Sequence, residues 1–248
     1  MRTRAKMLAL RTARNSYELK KAHKTLKEDL AIAFPEILAY DVTSLEVLTF
    51  LSRFGSAGEV LSASDRQLVR PLRISPNETL RLSIVERIKS LAATSTGSGS
   101  YAPLVCDSAL HILACMEREE RLDRAFLNMV RQMFPKELEI LTSIDGIQEA
   151  DAASFMAEVD DIHRFPSSKS LVSYLGILPP KSGNALLRQY VFQMTEGCIR
   201  VNPTFRAYYH KKRKEGAIHL QAMTTTMHKL IRTIHAMLIQ EELFVPKE

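Results

Sequence analysis

The chain has no tryptophan, only nine glycines and ten prolines, and three scattered cysteines in 248 residues. That glycine and proline content is too small for a low-complexity or collagen-like chain. Cys106, Cys115 and Cys198 are odd in number and each sits in an apolar helical context. They exclude a disulfide framework and predict buried thiols in a reducing compartment. No apolar run approaches the roughly 18 residues that a membrane span needs. The basic N-terminus, MRTRAKMLALRTARNSYELKK, lacks the apolar core and small-residue cleavage site of a signal peptide. A cytoplasmic protein with no membrane partner is therefore expected. Alternating strand patterns are missing as well, so the expected fold class is mostly α.

What is present is basic charge, unevenly spread. Residues 1–33 carry nine Lys/Arg against three Asp/Glu, and residues 163–248 carry thirteen against five. Between them, residues 134–162 hold one lysine against eight acids. Two basic blocks flanking an acidic stretch point to a polyanionic partner, with a merely solvated surface as the alternative.

The spacing of apolar residues divides the chain into two parts. Leu8, Leu19, Ala22, Leu26, Leu30 and Ala33 form a helical stripe over about Arg2 to Ala33, opposite Lys20, Lys21, Lys24 and Lys27. Pro35 stops it. Short helical pieces follow from Thr43 to Arg73, with Ser62 or Ser64 as a cap. TSTGSGS, Thr94 to Ser100, has the most flexible composition. A second long segment, about Pro103 to Met133, carries Leu110, Leu113, Leu122, Phe126, Met129 and Met133 along one side. Neither long helix buries its stripe alone. An antiparallel, coiled-coil-like hairpin over residues 1–134 is expected, or pairing with a second copy as a homo-oligomer. Beyond Pro135, shorter helices are expected near 137–142, 148–158, 167–174, 184–199, 203–214 and 216–241, forming a compact all-α domain over 135–248.

Three stretches carry candidate chemistry. LTSIDGIQEADAASFMAEV, Leu141 to Val159, has the layout of a helix-hairpin-helix: a turn on Ile144, Gly146 and Ile147, then a helix rich in small residues. In such a hairpin Gly146, Ile147 and Gln148 present backbone N–H groups to a DNA phosphate without reading sequence. The alternative is a helical turn used only for packing, and Asp145, Glu149 and Asp151 oppose a phosphate. NPTFRAYYHKKRKEG, Asn202 to Gly216, sets Phe205, Tyr208 and Tyr209 beside Lys211, Lys212, Arg213 and Lys214. The four cations form a candidate phosphate-neutralising patch, of which a helix dipole explains two. In GILPPKSGNALLRQ, a lone serine, Ser182, stands between a proline brake and an arginine-bearing helix. It is either a helix cap, a role open to Asn184 as well, or a nucleophile beside a phosphate. Glu158, Asp160 and Asp161 are read as a solvated turn, and His219, His228 and His235 lack a ligand partner. No metal site is expected in this chain.

In order, LTSIDGI with AEVDDIHRF, SLVSYLGILPPKSG, GNALLRQYVFQM, NPTFRAYYHKKRKEG and HLQAMTTTMHKLIRTIHAML resemble the C-terminal half of the insertion-sequence "one-ten" transposases. That family is also called one-sixteen/nine-oh-two and is related to the Piv-type DNA invertases. LRTARNSYELKKAHKTLKEDLAIAFPE resembles the long helix after their nuclease domain, so the resemblance spans nearly the whole chain. It implies a RuvC-like domain with four carboxylates, a coiled-coil arm, and a C-terminal domain whose serine attacks DNA covalently. It also implies a structured RNA that guides target choice. Carried onto this sequence, the nucleophile is Ser182, with Lys181 and Arg188 supplying charge. The chain begins after the place of the four acids, so magnesium is expected only with that missing domain. The usual basic insert before the next helix is also absent, because Ser182, Gly183 and Asn184 are fused. A truncated or decayed DNA-binding transposase is expected, or a non-catalytic nucleic-acid-binding or dimerising derivative of one.

Overall fold

The computed structural model describes residues 2–74, 77–177 and 183–246. Lys181 and Ser182 lie outside the described residues. Twelve α-helices and no strand occur among the described residues, so the fold is mostly α. The chain divides into two compact units, one of residues 11–123 and one of residues 1–10 with 124–248.

In the first unit, α1 (Arg2–Ala33) and α6 (Ala102–Met133) run antiparallel. Ser108 donates to Asp29 at 2.9 Å, Arg118 lies 3.7 Å from Glu18, and the Asn15 amide donates to the Cys115 carbonyl at 2.9 Å. Ala22, Leu26, Leu30 and Ala33 are buried as their spacing requires. On α6 the buried face is Val105, Ala109, Ile112 and Cys115, whereas Leu110 points to solvent. Of the expected stripe, Phe126 is buried and Leu113 and Met129 pack against the cores, while Leu110 falls outside it. Small Ala109, not leucine, occupies the seam and admits the neighbouring helix.

The remaining elements of this unit are α2 (Leu45–Leu51), α3 (Ala57–Ser62), α4 (Asp65–Val69), α5 (Glu78–Ala93) and three 3-10 turns. Ser64, not Ser62, begins α4: its N–H donates to Gln67 Oε1 at 2.8 Å, closing a capping box. Helix α5 had no counterpart in the sequence reading, although Asn77 caps it through Leu80 N–H at 3.1 Å. The TSTGSGS stretch is held rather than loose. Glu36 accepts from the Ser95 hydroxyl and from Thr96 N–H, and Ser98 N–H donates to Ile32 O at 2.8 Å.

The second unit contains the last turns of α6, then α7 (Pro135–Thr142), α8 (Glu149–Val159), α9 (Ser168–Leu175), α10 (Ala185–Val201), α11 (Pro203–Lys214) and α12 (His219–Gln240). Phe126 and Val130 of α6 belong to this core, so the division falls inside α6 and not at Pro135. Helices α10 and α12 form its centre. Leu187, Val191, Met194 and Cys198 share an apolar interior with Met223, Met227, Leu230, Ile231, Ile234, Phe155 and Phe205. Along α12 the apolar stripe Met223, Met227, Leu230, Ile231, Ile234 and Leu238 is buried, whereas Leu220 at its start is exposed.

Candidate nucleic-acid interface and the serine-bearing loop

Helices α7 and α8 are joined by a short turn whose apolar residues Ile144 and Ile147 are buried. Gly146 has φ +100°, a conformation that L side chains rarely adopt. A Cβ there would sit 2.5 Å from the Gly197 carbonyl, and one on Gly197 would sit 2.2 Å from Gly146 O. The turn is therefore pressed backbone to backbone against α10. Gly197, a glycine inside a helical pattern, was the missed half of this contact; its position mid-helix was the available signal. Of the three hairpin residues singled out, Gly146 is half-buried, Ile147 is buried and Gln148 is exposed. Gln148 precedes α8 without a side-chain cap.

Charge around this turn is organised rather than uniform. Arg131 of α6 forms a bidentate pair with Glu149, at 2.5 and 2.7 Å, and holds that carboxyl below its ordinary range. Burial pushes the Asp151 carboxyl up. Burial also pushes the Cys198 thiol up to about 12, with Asp145 and Asp151 adding to the effect, so Cys198 is an inert core thiol. The three acids at the carboxyl end of α8 are used locally. Glu158 accepts from the Asn184 amide at 2.6 Å, and Asp161 caps the following turn through His163 N–H at 2.9 Å. Asp160 has φ 66° and ψ −73°, with Asp161 N–H donating to Val159 O at 2.9 Å, which is a classical γ-turn. Among the described residues, no three His, Cys, Asp or Glu side chains are grouped to hold a metal ion.

The described residues on either side of 178–182 lie close together. Helix α9 ends on Gly176 in the left-handed conformation, φ 68°. A Cβ on Gly183 would lie 2.5 Å from Gly176 Cα and N, so the chain leaves and returns at one point. Asn184 N–H donates to Tyr174 O at 2.9 Å, across the same gap. Arg188 Nη1 donates to the carbonyls of Leu175 and Gly176, at 3.0 and 3.2 Å. Asn184 caps α10 by accepting from Leu187 N–H at 3.0 Å. The capping role open to either residue is filled by Asn184.

On α11 the four cations occupy the last turn. Lys212 pairs with Glu215 at 2.6 Å, and Arg213 donates to Ala217 O at 2.8 Å, while Lys211 and Lys214 are exposed. Tyr208 lies beneath Lys229 of α12, 4.5 Å from the ring centre, and beneath Lys212 at 5.7 Å. Tyr209 and His219 share a 2.7 Å hydrogen bond across the α11–α12 turn. The three candidate groups are thus placed on different supports: the α7–α8 turn on Gly197, Arg188 beside Leu175 and Gly176, and the cations at the far end of α11.

A family sequence model described as "Transposase IS116/IS110/IS902 family" matches residues 138–182, from the end of α7 through α8 and α9 to the serine itself. Over that segment the chain is similar to this family. Over 209 residues it is 28% identical to the IS110 insertion-element 43.6 kDa protein of Streptomyces coelicolor, covering 77% of this chain and 51% of the relative. Over 191 residues it is 28% identical to the IS116 44.8 kDa protein of Streptomyces clavuligerus, covering 70% and 47%. The IS900 42 kDa protein of Mycobacterium paratuberculosis is 29% identical over 189 residues, 70% of this chain and 42% of the relative. The chain spans about half the length of the curated relatives it matches. No described helix is long and apolar enough to cross a membrane.

Proposed function

We propose that this chain is a member of the IS116/IS110/IS902 transposase family that binds DNA in transposition of an insertion sequence and presents Ser182 as the nucleophile of strand exchange. The observation that carries the reading is the coincidence of two findings. The family match ends on Ser182, and the loop bearing it is cinched at its base by Gly176, Gly183, Asn184 and Arg188. In the proposed step the Ser182 oxygen forms a bond to phosphorus as the bond to the leaving deoxyribose oxygen breaks. The serine proton passes to a base, and the leaving oxygen takes up a proton. Lys181 and Arg188 neutralise the non-bridging oxygens. Arg188 has five N–H donors, and its two carbonyl contacts leave others for a phosphate.

The DNA is held by Lys211, Lys212, Arg213 and Lys214, with Gln148 and the first turn of α8 as a second, sequence-independent contact and Gly146 and Ile147 as its frame. A structured guide RNA and self-association through the long helices are part of the same proposal. Absence of the basic insert between Ser182 and Asn184 favours a second reading, in which binding persists without strand attack.

Equilibrium binding to duplex DNA across a salt series tests the binding half. The account expects log affinity to fall steeply with log salt, and Lys211→Ala with Lys214→Ala to lower that slope by about two. An unchanged slope would remove the patch from the interface.

A further inference from the structure

The turn between α11 and α12 is rigid, basic on its flank and apolar at its tip. Its rigidity comes from a Schellman motif: Ala217 N–H donates to Lys212 O at 3.1 Å and Gly216 N–H to Arg213 O at 3.2 Å, with Gly216 at φ +91°. Arg213 clamps Ala217 O from outside, and Ile218 N–H donates to Gln221 Oε1 at 3.2 Å at the start of α12. The Tyr209–His219 hydrogen bond ties the two helices just behind the turn. Despite this ordering, Ile218 is 60% exposed and Leu220 62% exposed. Leu220 falls on the apolar stripe of α12 yet extends past the end of the core. Two large aliphatic side chains are therefore held out to solvent by a hydrogen-bonded turn, next to four cations.

We infer that this turn is a wedge that enters duplex DNA, with Ile218 and Leu220 pressed between base pairs while Lys211, Arg213 and Lys214 hold the adjoining phosphates. The inference rests on the DNA-binding reading above and goes beyond it, since a phosphate patch alone needs no apolar tip. Aliphatic wedges of this kind unstack a base step and kink the duplex. Charge selects the occupant. A second copy meeting this surface about a two-fold axis would face its own four cations across the contact, which disfavours self-association here. A polyanion with an apolar interior of stacked bases complements both features.

The test uses the full chain and a short duplex carrying a fluorescent base analogue that brightens on unstacking, with donor and acceptor dyes at its ends. Binding should brighten the base several-fold and shorten the dye separation. Ile218→Ala with Leu220→Ala should keep affinity within about threefold and keep the salt slope, yet lose both distortion signals; both positions are exposed and cost little stability. Lys211→Ala with Lys214→Ala should instead weaken binding and flatten the slope. The wedge is overturned if the parent protein binds without distorting the duplex, or if the apolar double variant distorts it equally. It is also overturned if that variant changes only the oligomeric mass, or only binding to anionic lipid vesicles. A protein that binds no duplex at all fails the DNA-binding reading itself, and the wedge with it.

Discussion

Asp151, in the first turn of α8, is a half-buried carboxylate. Burial raises its pKa, so the folded state favours the neutral acid. Its contribution is fully present below the unfolded value of about 3.9 and is lost as pH rises through the folded value. Asp151→Asn, which stays neutral, is expected to match the parent in melting temperature at about pH 3. It should then exceed the parent by a margin that widens toward neutrality. A gap that stays constant with pH would assign the effect to something other than ionisation. Glu149 behaves oppositely, because the Arg131 pair holds its carboxyl down and that stability disappears as pH falls through its folded pKa. Both partners are largely exposed, so its weight is small.

Among the elements, the contact of the α7–α8 turn with α10 is the tightest in the site region. Gly146→Ala combines an unfavourable φ with a Cβ 2.5 Å from backbone, for which about 2–4 kcal/mol of destabilisation is expected. Gly216→Ala shares the positive φ but meets nothing within 4 Å, so only the backbone term, about 1–2 kcal/mol, applies. Thermal unfolding of the two variants should show the larger drop for Gly146→Ala; equal drops would mean that the close approach to Gly197 is not maintained in solution. Much of this was legible from local pattern. The α12 stripe and the Gly146 turn follow from periodicity and from one glycine between apolar residues. Helix α5 was missed because exposed Leu80 and Leu82 blur the spacing of its buried Val85, Ile88 and Ala92. The ordering of TSTGSGS depends on Glu36, about sixty residues away, which no window of local composition contains. Gly197 was hidden for the same reason, since its partner Gly146 lies far away in sequence, in the α7–α8 turn.

At the scale of the whole molecule, the second unit offers a cinched loop at one support and a cationic, apolar-tipped turn at another. The central claim is that DNA held by the second is attacked by the serine of the first. The proposal of Ser182 as nucleophile rests on family resemblance, because spacing alone left it equal to a cap; the structure assigns the cap to Asn184. The decisive measurement is covalent capture on a nicked duplex that traps the protein–DNA ester, with the full chain and magnesium present. The account predicts a denaturation-resistant adduct with the parent protein and none with Ser182→Ala, while the variant still binds duplex with the parent's salt slope. An adduct that survives Ser182→Ala, or no adduct under conditions where the parent protein binds the duplex, would contradict it.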